Sequence, residues 1–372
     1  MPRTRARSLP RRDWSFLAYI AGDNDLSDNG LEDIQEMCDI GSSRRLHAAV
    51  EIDTRGEHTG SIRYEITEPD PTGVAHRTVI ERLPERDTGA PETLRAFLKW
   101  GLTRYPARER LVVVWNHGAG FRTVRRDIAY DDYGTSLDMP EIERAMHAAG
   151  IRPSRRVTIL GFDACLMNML EVVHHLADQV KIVVGSQQTE PGDGWPYDRV
   201  IEAMKKPKRP EALARSIVRT YIQDYRRRGD SNVTQSAVVA ERTEPAVAAL
   251  SDLGKALVGI LPDGRGRLSG VRSKVQSYEF ADYVDLIHCV RLIRDAITRR
   301  GIKGLARRVE TKTRKAILAN GWYGRGVSDS HGLSIWFPSD RRTYLDYRGK
   351  YLALNFARKH RGWIEFLDAF HA

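Results

Sequence analysis

The stretches LVVVWNHG, residues 111–118, and VTILGFDACLM, residues 157–167, decide the fold, because each is an apolar run that ends at one reactive side chain. The first run delivers His117 and the second delivers Cys165. In a parallel sheet, ligands and reacting groups gather just beyond the carboxyl ends of the strands. Two neighbouring strands with these endings would place an imidazole beside a thiol, which is the pair that a cysteine hydrolase uses.

The spacing between these two residues is consistent with adjacent parallel strands. The separation, 165 − 117 = 48, leaves room for one crossover helix, which the apolar pattern predicts over residues 139–149. A right-handed crossover then places the two strands side by side. Strand-like and helix-like segments alternate over the first two-thirds of the chain, which predicts an α/β fold with a mainly parallel central sheet covered by helices on both faces.

The chain divides into three predicted parts. Residues 1–12 form a basic, disordered tail, residues 13–242 form the α/β catalytic domain, and residues 243–372 form a mainly helical subdomain. One helix of this subdomain is predicted over residues 304–318. A late strand at residues 332–337 (GLSIWF) ends at Pro338, and the pattern allows it to rejoin the sheet.

Composition and charge exclude several classes of protein. The 372 residues, of which 41% are hydrophobic, are enough to bury a full core, and no apolar run reaches the length that spans a bilayer. The net charge of +10 is weak support for a nucleic-acid partner, because five arginines of the tail supply half of it. No RNA-recognition motif, helix-turn-helix pattern or zinc finger accompanies the basic clusters, so we expect neither a nucleic-acid nor a membrane partner.

The cysteines indicate the kind of compartment. Cys38, Cys165 and Cys289 are too few and too scattered for a disulfide scaffold or for a zinc site built on CxxC pairs, so we expect no metal. The basic amino terminus has no apolar stretch behind it and does not match a secretory signal. Together these features predict a cytoplasmic location.

Local structure distinguishes Cys165 from the other two cysteines, which we interpret as small core residues. Cys165 lies between a strand and a helix predicted over residues 166–176, and a helix amino terminus favours the thiolate and stabilises an oxyanion. Gly118 follows His117, and its missing side chain lets a substrate carbonyl approach the backbone. The two strand ends therefore predict nucleophilic catalysis by Cys165.

Five segments, in order and at consistent spacing, resemble the clostripain family of cysteine peptidases, which is related to the caspases, gingipains, legumains and separase. They are WSFLAYIAGDNDL from Trp14, DTGAPETLRAFLKW from Asp87, VVVWNHG up to Gly118, GFDACLMNMLEV around Cys165, and SQQTEPGDGWPY around Asp193. Weaker similarities follow at residues 283–287 (YVDLI) and 332–338 (GLSIWFP). The resemblance implies a caspase-like α/β/α sandwich.

The resemblance also implies roles for individual residues. His117 and Cys165 would form a catalytic dyad without a third member, and the N–H groups of Gly118 and Cys165 would form the oxyanion hole. Relatives of this kind cleave after arginine or lysine, and Asp163 and Asp193 match the acidic residues of their S1 pocket. A buried carboxylate pair is costly without a cation, and arginine supplies one with bidentate geometry. The alternatives are a charge at a helix amino terminus for Asp163 and a turn residue for Asp193.

Activation and cofactors follow from the same resemblance. Family members are often activated by self-cleavage in the loop after the histidine strand, here residues 121–136, where Arg122, Arg125 and Arg126 are the candidate cut sites. Clostripain depends on calcium, and the oxygen-bearing residues of the segment 23–28 (DNDLSD) suggest a calcium site, but the remaining EF-hand ligands are missing and a capped loop is the alternative. No motif in the sequence requires a cofactor, and the expected oligomeric state is a monomer.

Two functions from other classes remain open at this point. The chain could be a catalytically silent caspase-like scaffold that binds peptides or partner proteins, although it retains both His117 and Cys165. It could also be a basic protein associated with nucleic acid through its arginine-rich tail. The fold alone does not distinguish a peptidase from a binding scaffold or from a nucleic-acid protein, since function resides in the site.

Overall fold

The computed structural model describes residues 9–55, 60–122, 128–206 and 208–372, so most of the predicted tail lies outside the described residues. Within these ranges the strands are β1 (Arg12–Gly22), β2 (Leu46–Thr54), β3 (Ile62–Ile66), β4 (Arg77–Arg82), β5 (Ala107–Trp115), β6 (Val157–Asp163), β7 (Val180–Gly185), β8 (Val233–Val239), β9 (Tyr283–Asp285), β10 (Ile317–Tyr323) and β11 (Ser334–Trp336). The helices are α1 (Ser27–Ile40), α2 (Pro91–Arg104), α3 (Met139–Ala148), α4 (Leu170–His175), α5 (Tyr197–Lys205), α6 (Pro210–Arg228), α7 (Glu244–Val258), α8 (Leu261–Lys274), α9 (Leu286–Ala296), α10 (Arg300–Ala316), α11 (Arg341–Ala353), α12 (Asn355–Lys359) and α13 (Gly362–Phe370). Short 3₁₀ turns lie at Ala240–Thr243 and Arg325–Val327.

The central sheet has nine strands in the order β10-β8-β7-β6-β5-β1-β2-β3-β4. Its five middle strands, from β7 to β2, are parallel, whereas β8 and β10 on one side and β3 and β4 on the other are antiparallel. The predicted α/β/α architecture with a mainly parallel centre is therefore confirmed.

The middle strands are buried on both faces, which explains why they are almost continuously apolar in sequence. In β1, Leu17 and Tyr19 belong to one apolar core and Phe16 and Ile20 belong to the core on the opposite face, all with side chains at most 1% exposed. Burial of a large apolar side chain contributes roughly 1.5–3 kcal/mol. Helices α1, α5 and α6 cover the second face, while α2, α3 and α4 cover the first, together with the later helices.

The carboxyl-terminal third differs from its prediction in two respects. The helix predicted over residues 304–318 ends at Ala316, and the next seven residues form β10, which pairs with β8 at the edge of the main sheet. The late strand β11 does not join that sheet but pairs with β9 in a separate two-stranded sheet. Short runs such as these carry too few residues to separate helical from strand periodicity. The domain boundary near residue 242 stays a prediction.

One structural feature bears on membranes. No helix in the described part of the chain combines the length and the apolar composition that a bilayer crossing requires.

Candidate active site

His117 and Cys165 lie at the same edge of the sheet, on adjacent strands. β5 pairs with β6 in parallel, and Trp115 is the register partner of Asp163. Each reactive residue follows two positions later, so the offset of 48 residues that relates the strands also relates His117 to Cys165. Both side chains line one cavity of about 110 Å³. The structure therefore brings together the pair that the strand ends predict.

The segment after β6 differs from the prediction of a helix over residues 166–176. The chain makes an irregular turn at Cys165, with Leu166 at a φ of +66°, and α4 begins only at Leu170 and has six residues. Two backbone hydrogen bonds hold this turn, one from Leu166 N–H to the Gln188 carbonyl and one from Asn168 N–H to the Ser186 carbonyl. The predicted effect of a helix amino terminus on Cys165 is wrong, because this helix begins five residues further along.

The Cys165 thiol is held by the backbone of Glu190. The Glu190 N–H donates to Sγ at 3.2 Å, and the S–H group can donate to the Glu190 carbonyl at 3.8 Å. Burial raises the pKa of the Cys165 thiol, and the Glu190 N–H only partly opposes this effect. The protonated thiol is therefore the form that this arrangement favours, so attack on a substrate requires the proton to pass to a base.

His117 has a carboxylate partner, Asp25, which the sequence did not identify. The His117 Nε2 lies 2.9 Å from Asp25 Oδ1, and this contact holds the ring in one orientation. Asn116 fixes the loop, because its amide donates to the carbonyls of Ala21 and Tyr130. A positional signal existed, since residue 25 closely follows β1, the neighbour of β5 at the same sheet edge.

The contacts of the segment 23–28 are those of a shaped loop. Asn24 Nδ2 donates to the carbonyls of Ala21 and Tyr130 at 2.8 and 2.9 Å, and its Oδ1 accepts from Leu26 N–H at 2.9 Å. Both polar atoms of this side chain are thus engaged within the protein. Calcium stays a prediction.

Gly118 packs against the turn that carries Cys165. A Cβ at this position would collide with the Cys165 backbone, standing 2.9 Å from its nitrogen and closer still to its carbonyl oxygen. Among the described residues, no other residue accepts a hydrogen bond from the N–H of Gly118 or of Cys165. Two N–H groups on facing turns are therefore available to stabilise an oxyanion beside the sulfur.

Buried carboxyl groups form the base of the cavity. Asp163 accepts hydrogen bonds from Trp195 N–H at 3.0 Å and from the Tyr197 hydroxyl at 2.7 Å. Glu190 lies beside it and accepts a hydrogen bond from Gln235 at 3.3 Å. Burial raises the pKa of both carboxyls, and that of Glu190 further because the Asp163 charge lies next to it. The pair therefore favours a shared proton, and Glu190, whose pKa is raised by two causes, is the acid that more readily keeps it.

A third acid, Asp33, lies behind this pair. The Trp115 indole N–H donates to Asp33 Oδ2 at 2.7 Å. Burial raises the pKa of Asp33, and the Asp163 charge adds to that effect. The local sequence pattern indicates neither Glu190 nor Asp33 as a site residue, since neither lies next to a reactive residue in the chain.

The structure does not bring Asp193 into the cavity. Its side chain is 56% exposed and pairs with Arg228 of α6. The adjacent Gly194, at a φ of +53°, turns the loop so tightly onto Asp163 that a Cβ would lie 2.8 Å from Asp163 Oδ2. The neighbours of Asp193 line the cavity with backbone, whereas its carboxylate faces outward.

The three candidate cut sites do not share one environment. Arg122 is buried, forms an ion pair with Asp282, and has its guanidinium 4.1 Å from the ring centre of Tyr347. These contacts contradict Arg122 as a cleavage site, because a protease would have to pull out a buried, paired cation. Arg125 and Arg126 lie outside the described residues.

Comparison with known proteins identifies one matching family. The sequence matches the clostripain family, peptidase C11, over residues 18–370. A clostripain from Hathewaya histolytica is 27% identical over 135 residues, which make up 32% of this chain and only 25% of that longer protein. The match therefore spans about a quarter of that relative's length.

Two solved structures have the same fold. A secreted C11 cysteine protease from Bacteroides thetaiotaomicron, in complex with an irreversible peptide inhibitor, has a TM-score of 0.70 and 20% identity, covering 93% of this chain and 98% of its own. An inactive zymogen C11 protease from Parabacteroides distasonis has a TM-score of 0.75 and 17% identity, covering 95% and 99%. At these identities the likeness establishes the fold.

The cytoplasmic location predicted from the sequence is wrong on this comparison, because a secreted protease has the same fold over nearly the whole chain. The prediction relied on the small number of cysteines and on the basic composition of residues 1–12. Neither feature is a sound guide here, since a domain with a core of this size needs no disulfides to fold.

Proposed function

This chain belongs to the clostripain family of cysteine peptidases, and we propose that it is an endopeptidase that cleaves peptide bonds after arginine or lysine. The observation that carries the specificity is the buried pair of Asp163 and Glu190 at the base of the cavity next to Cys165. Because the chain belongs to a peptidase family, we no longer favour the two alternatives, a catalytically silent scaffold and a nucleic-acid-associated protein. The secreted relative supports an extracellular site of action.

The acid pair favours a cationic substrate side chain for an electrostatic reason. The side chain of Asp163 is almost fully buried, and the groups that donate hydrogen bonds to it in the described chain, Trp195 N–H and the Tyr197 hydroxyl, are neutral. A guanidinium or ammonium group entering the cavity would supply the missing counter-charge at low dielectric. A neutral side chain would leave the carboxylate desolvated and unpaired, which costs several kcal/mol.

The proposed reaction uses Cys165 as nucleophile and His117 as the group that carries protons. The thiol proton passes to His117, the sulfur attacks the scissile carbonyl carbon, and the N–H groups of Gly118 and Cys165 stabilise the oxyanion. Collapse of the intermediate breaks the C–N bond, and His117 gives its proton to the leaving amine. Water then attacks the thioester while His117 takes its proton, and the product carboxylic acid and the Cys165 thiol are released.

A panel of fluorogenic peptides that differ only in the residue before the scissile bond tests this proposal. We expect hydrolysis after Arg and Lys, and kcat/KM values at least about 100-fold lower after Leu or Asp, since an unpaired buried carboxylate opposes those side chains. Parallel reactions with calcium and with a chelator test the calcium prediction. Equal cleavage after Leu and Arg by active enzyme would contradict the proposed specificity.

Glu190 makes cation binding depend on pH in a defined direction. In the empty cavity its raised pKa keeps the proton on the pair, whereas a bound cation favours loss of that proton. The cation therefore binds more tightly as pH rises through the titration of the pair. In the Cys165→Ala protein, we expect the Kd of an arginine-terminated peptide to fall by about tenfold as the pH rises from the ordinary glutamate range to values above the titration of the pair.

Calorimetric titration at several pH values measures this effect without interference from catalysis. Glu190→Gln keeps the size of the side chain but cannot release a proton, so its Kd should stay nearly constant over the same range. If the Kd of the parent protein and that of the Glu190→Gln variant changed with pH in the same way, the acid pair would not change its protonation on binding, which would contradict this prediction.

Self-processing is part of the proposal for the loop 121–136. Arg122 anchors the start of the loop through Asp282, and Asp131 anchors its later part by accepting from the backbone and side chain of Thr88 at 2.8 Å. Arg125 and Arg126 lie between these two anchors in sequence. The zymogen described for the Parabacteroides distasonis relative supports a form that awaits activation.

We expect wild-type protein to be cut after Arg125 or Arg126, and the double change Arg125→Ala with Arg126→Ala to stay at full length. Intact-mass measurement over time, with Cys165→Ala as the uncut control, reads this out. The double variant cut at Arg122, or full-length wild type with full activity, would contradict the processing proposal and leave the peptidase assignment untouched.

A further inference from the structure

A second cluster of chemically capable side chains lies at the end of the sheet opposite to Cys165. It consists of His174 in the last turn of α4, Glu244 at the start of α7, and His360 just after α12. β8 is antiparallel to β7, and its last residue, Val239, pairs near the beginning of β7. Glu244 follows β8 by five residues, so it lies at the amino ends of the parallel strands, away from the active site.

The three side chains converge on one point. Glu244 lies between the two imidazoles, with Oε2 at 2.7 Å from His174 Nε2 and Oε1 at 2.7 Å from His360 Nε2. One ligand atom from each residue lies within 4.8 Å of the other two. The rings are 6.1 Å apart, centre to centre, and nearly perpendicular. Small side-chain rotations would point all three ligand atoms at a common centre.

The environment is that of a half-open pocket. The His174 side chain is 2% exposed and packs edge-on against Phe356, whereas Glu244 and His360 are 52% and 20% exposed. Within the described residues, His174 Nδ1 has no hydrogen-bond partner, so the polar contacts of this ring all lie on the Glu244 side. The His174 side of the cluster is therefore buried, and the side formed by Glu244 and His360 is accessible to an ion and its water.

We propose that His174, Glu244 and His360 bind a zinc ion that ties the carboxyl-terminal segment to the catalytic sheet. Two imidazoles and one carboxylate with an open fourth position are a ligand set that zinc uses, and a site of imidazoles favours it over calcium or magnesium. The three ligands come from parts of the chain about 70 and 116 residues apart. An ion held by all three would therefore cross-link α4, α7 and the end of α12.

The test uses the Cys165→Ala protein without a histidine tag, so that zinc cannot bind at the catalytic thiol or at added ligands. We expect this protein to bind one zinc ion per chain in a competition with a chromophoric chelator, and its Tm to rise with zinc concentration. His360→Ala, at a partly exposed position, should weaken zinc binding by about 100-fold or more and abolish the rise in Tm. Glu244→Gln should also weaken zinc binding and abolish the rise in Tm, although the new side chain can still form hydrogen bonds.

The matched control is His76→Ala, which removes a histidine that also faces a carboxylate, Asp70 at 3.7 Å, but belongs to no three-residue cluster in the described chain. This variant should bind zinc as tightly as its parent. Absence of stoichiometric zinc binding, or equal binding by the His360→Ala and His76→Ala proteins, would overturn the proposal and leave a hydrogen-bonded His–Glu–His cluster. The outcome is independent of peptidase activity, because every protein compared lacks Cys165.

Discussion

Replacement of Cys165 by alanine is expected to lower kcat by at least about 10⁴-fold on any peptide that the wild type cleaves. Loss of the nucleophile removes the covalent route altogether, and in a hydrolase of comparable design such a loss costs about 10⁶-fold. Cys165 lines the cavity together with His117, and its sulfur is held there by the Glu190 backbone. Steady-state hydrolysis of an arginyl fluorogenic peptide measures the effect.

Cys289→Ala is the matched control, because it removes a free cysteine of the same kind from a fully buried position in α9. This change leaves a small cavity and should lower stability by about 1 kcal/mol while leaving the activity of the folded protein within about twofold. Comparable losses of activity in both variants, at equal folded fractions, would show that Cys165 acts through folding and not as the nucleophile.

Asp163→Asn is expected to lower kcat/KM for arginyl peptides by about 10²- to 10³-fold. Removal of one partner from a buried ion pair costs about 3–5 kcal/mol, because the other charge is left desolvated. Asparagine keeps an oxygen that accepts from Trp195 N–H and Tyr197, so the base of the cavity retains its shape. The loss should be concentrated in arginyl and lysyl substrates, with a far smaller effect on leucyl peptides.

The neighbouring acid offers the control. Asp193→Asn removes a carboxylate from the loop that packs against Asp163, but that carboxylate is exposed and paired with Arg228, so kcat/KM should change by no more than about threefold. Thermal unfolding of both variants checks that they are folded. Equal losses from Asp163→Asn and Asp193→Asn would contradict the assignment of the substrate cation to the Asp163–Glu190 pair and would favour two separate acidic contacts.

The strand endings were enough to predict the reactive pair. The runs before His117 and Cys165 are apolar because both faces of β5 and β6 are buried, and strands of this kind stand out in a sequence. Parallel pairing then follows from the alternation of strands and helices, and the register places the two residues together. The fold and the proximity of His117 to Cys165 could therefore be predicted from local pattern.

The rest of the site depends on tertiary contacts that the local pattern does not encode. Glu190 comes from the loop after β7, and Asp25 comes from the loop after β1, so each reaches its partner only once the sheet has formed. The pattern predicted a helix directly after Cys165. In the structure a tight turn, hydrogen-bonded to residues 186–188, follows Cys165 instead, and the helix begins at Leu170. Asp193 faces outward because Gly194 brings the backbone, and not a side chain, against Asp163.

Covalent labelling tests the central claim most directly, because one experiment reports both the nucleophile and the specificity. The processed or intact protein is treated with peptidyl halomethyl ketones that end in Arg or in Leu, then digested and analysed by mass spectrometry. We predict a thioether on Cys165 that forms at least about 100-fold faster with the arginyl probe, and no label on Cys38 or Cys289. Labelling at another residue, or equal rates with both probes, would contradict a Cys165 peptidase with an acidic substrate pocket.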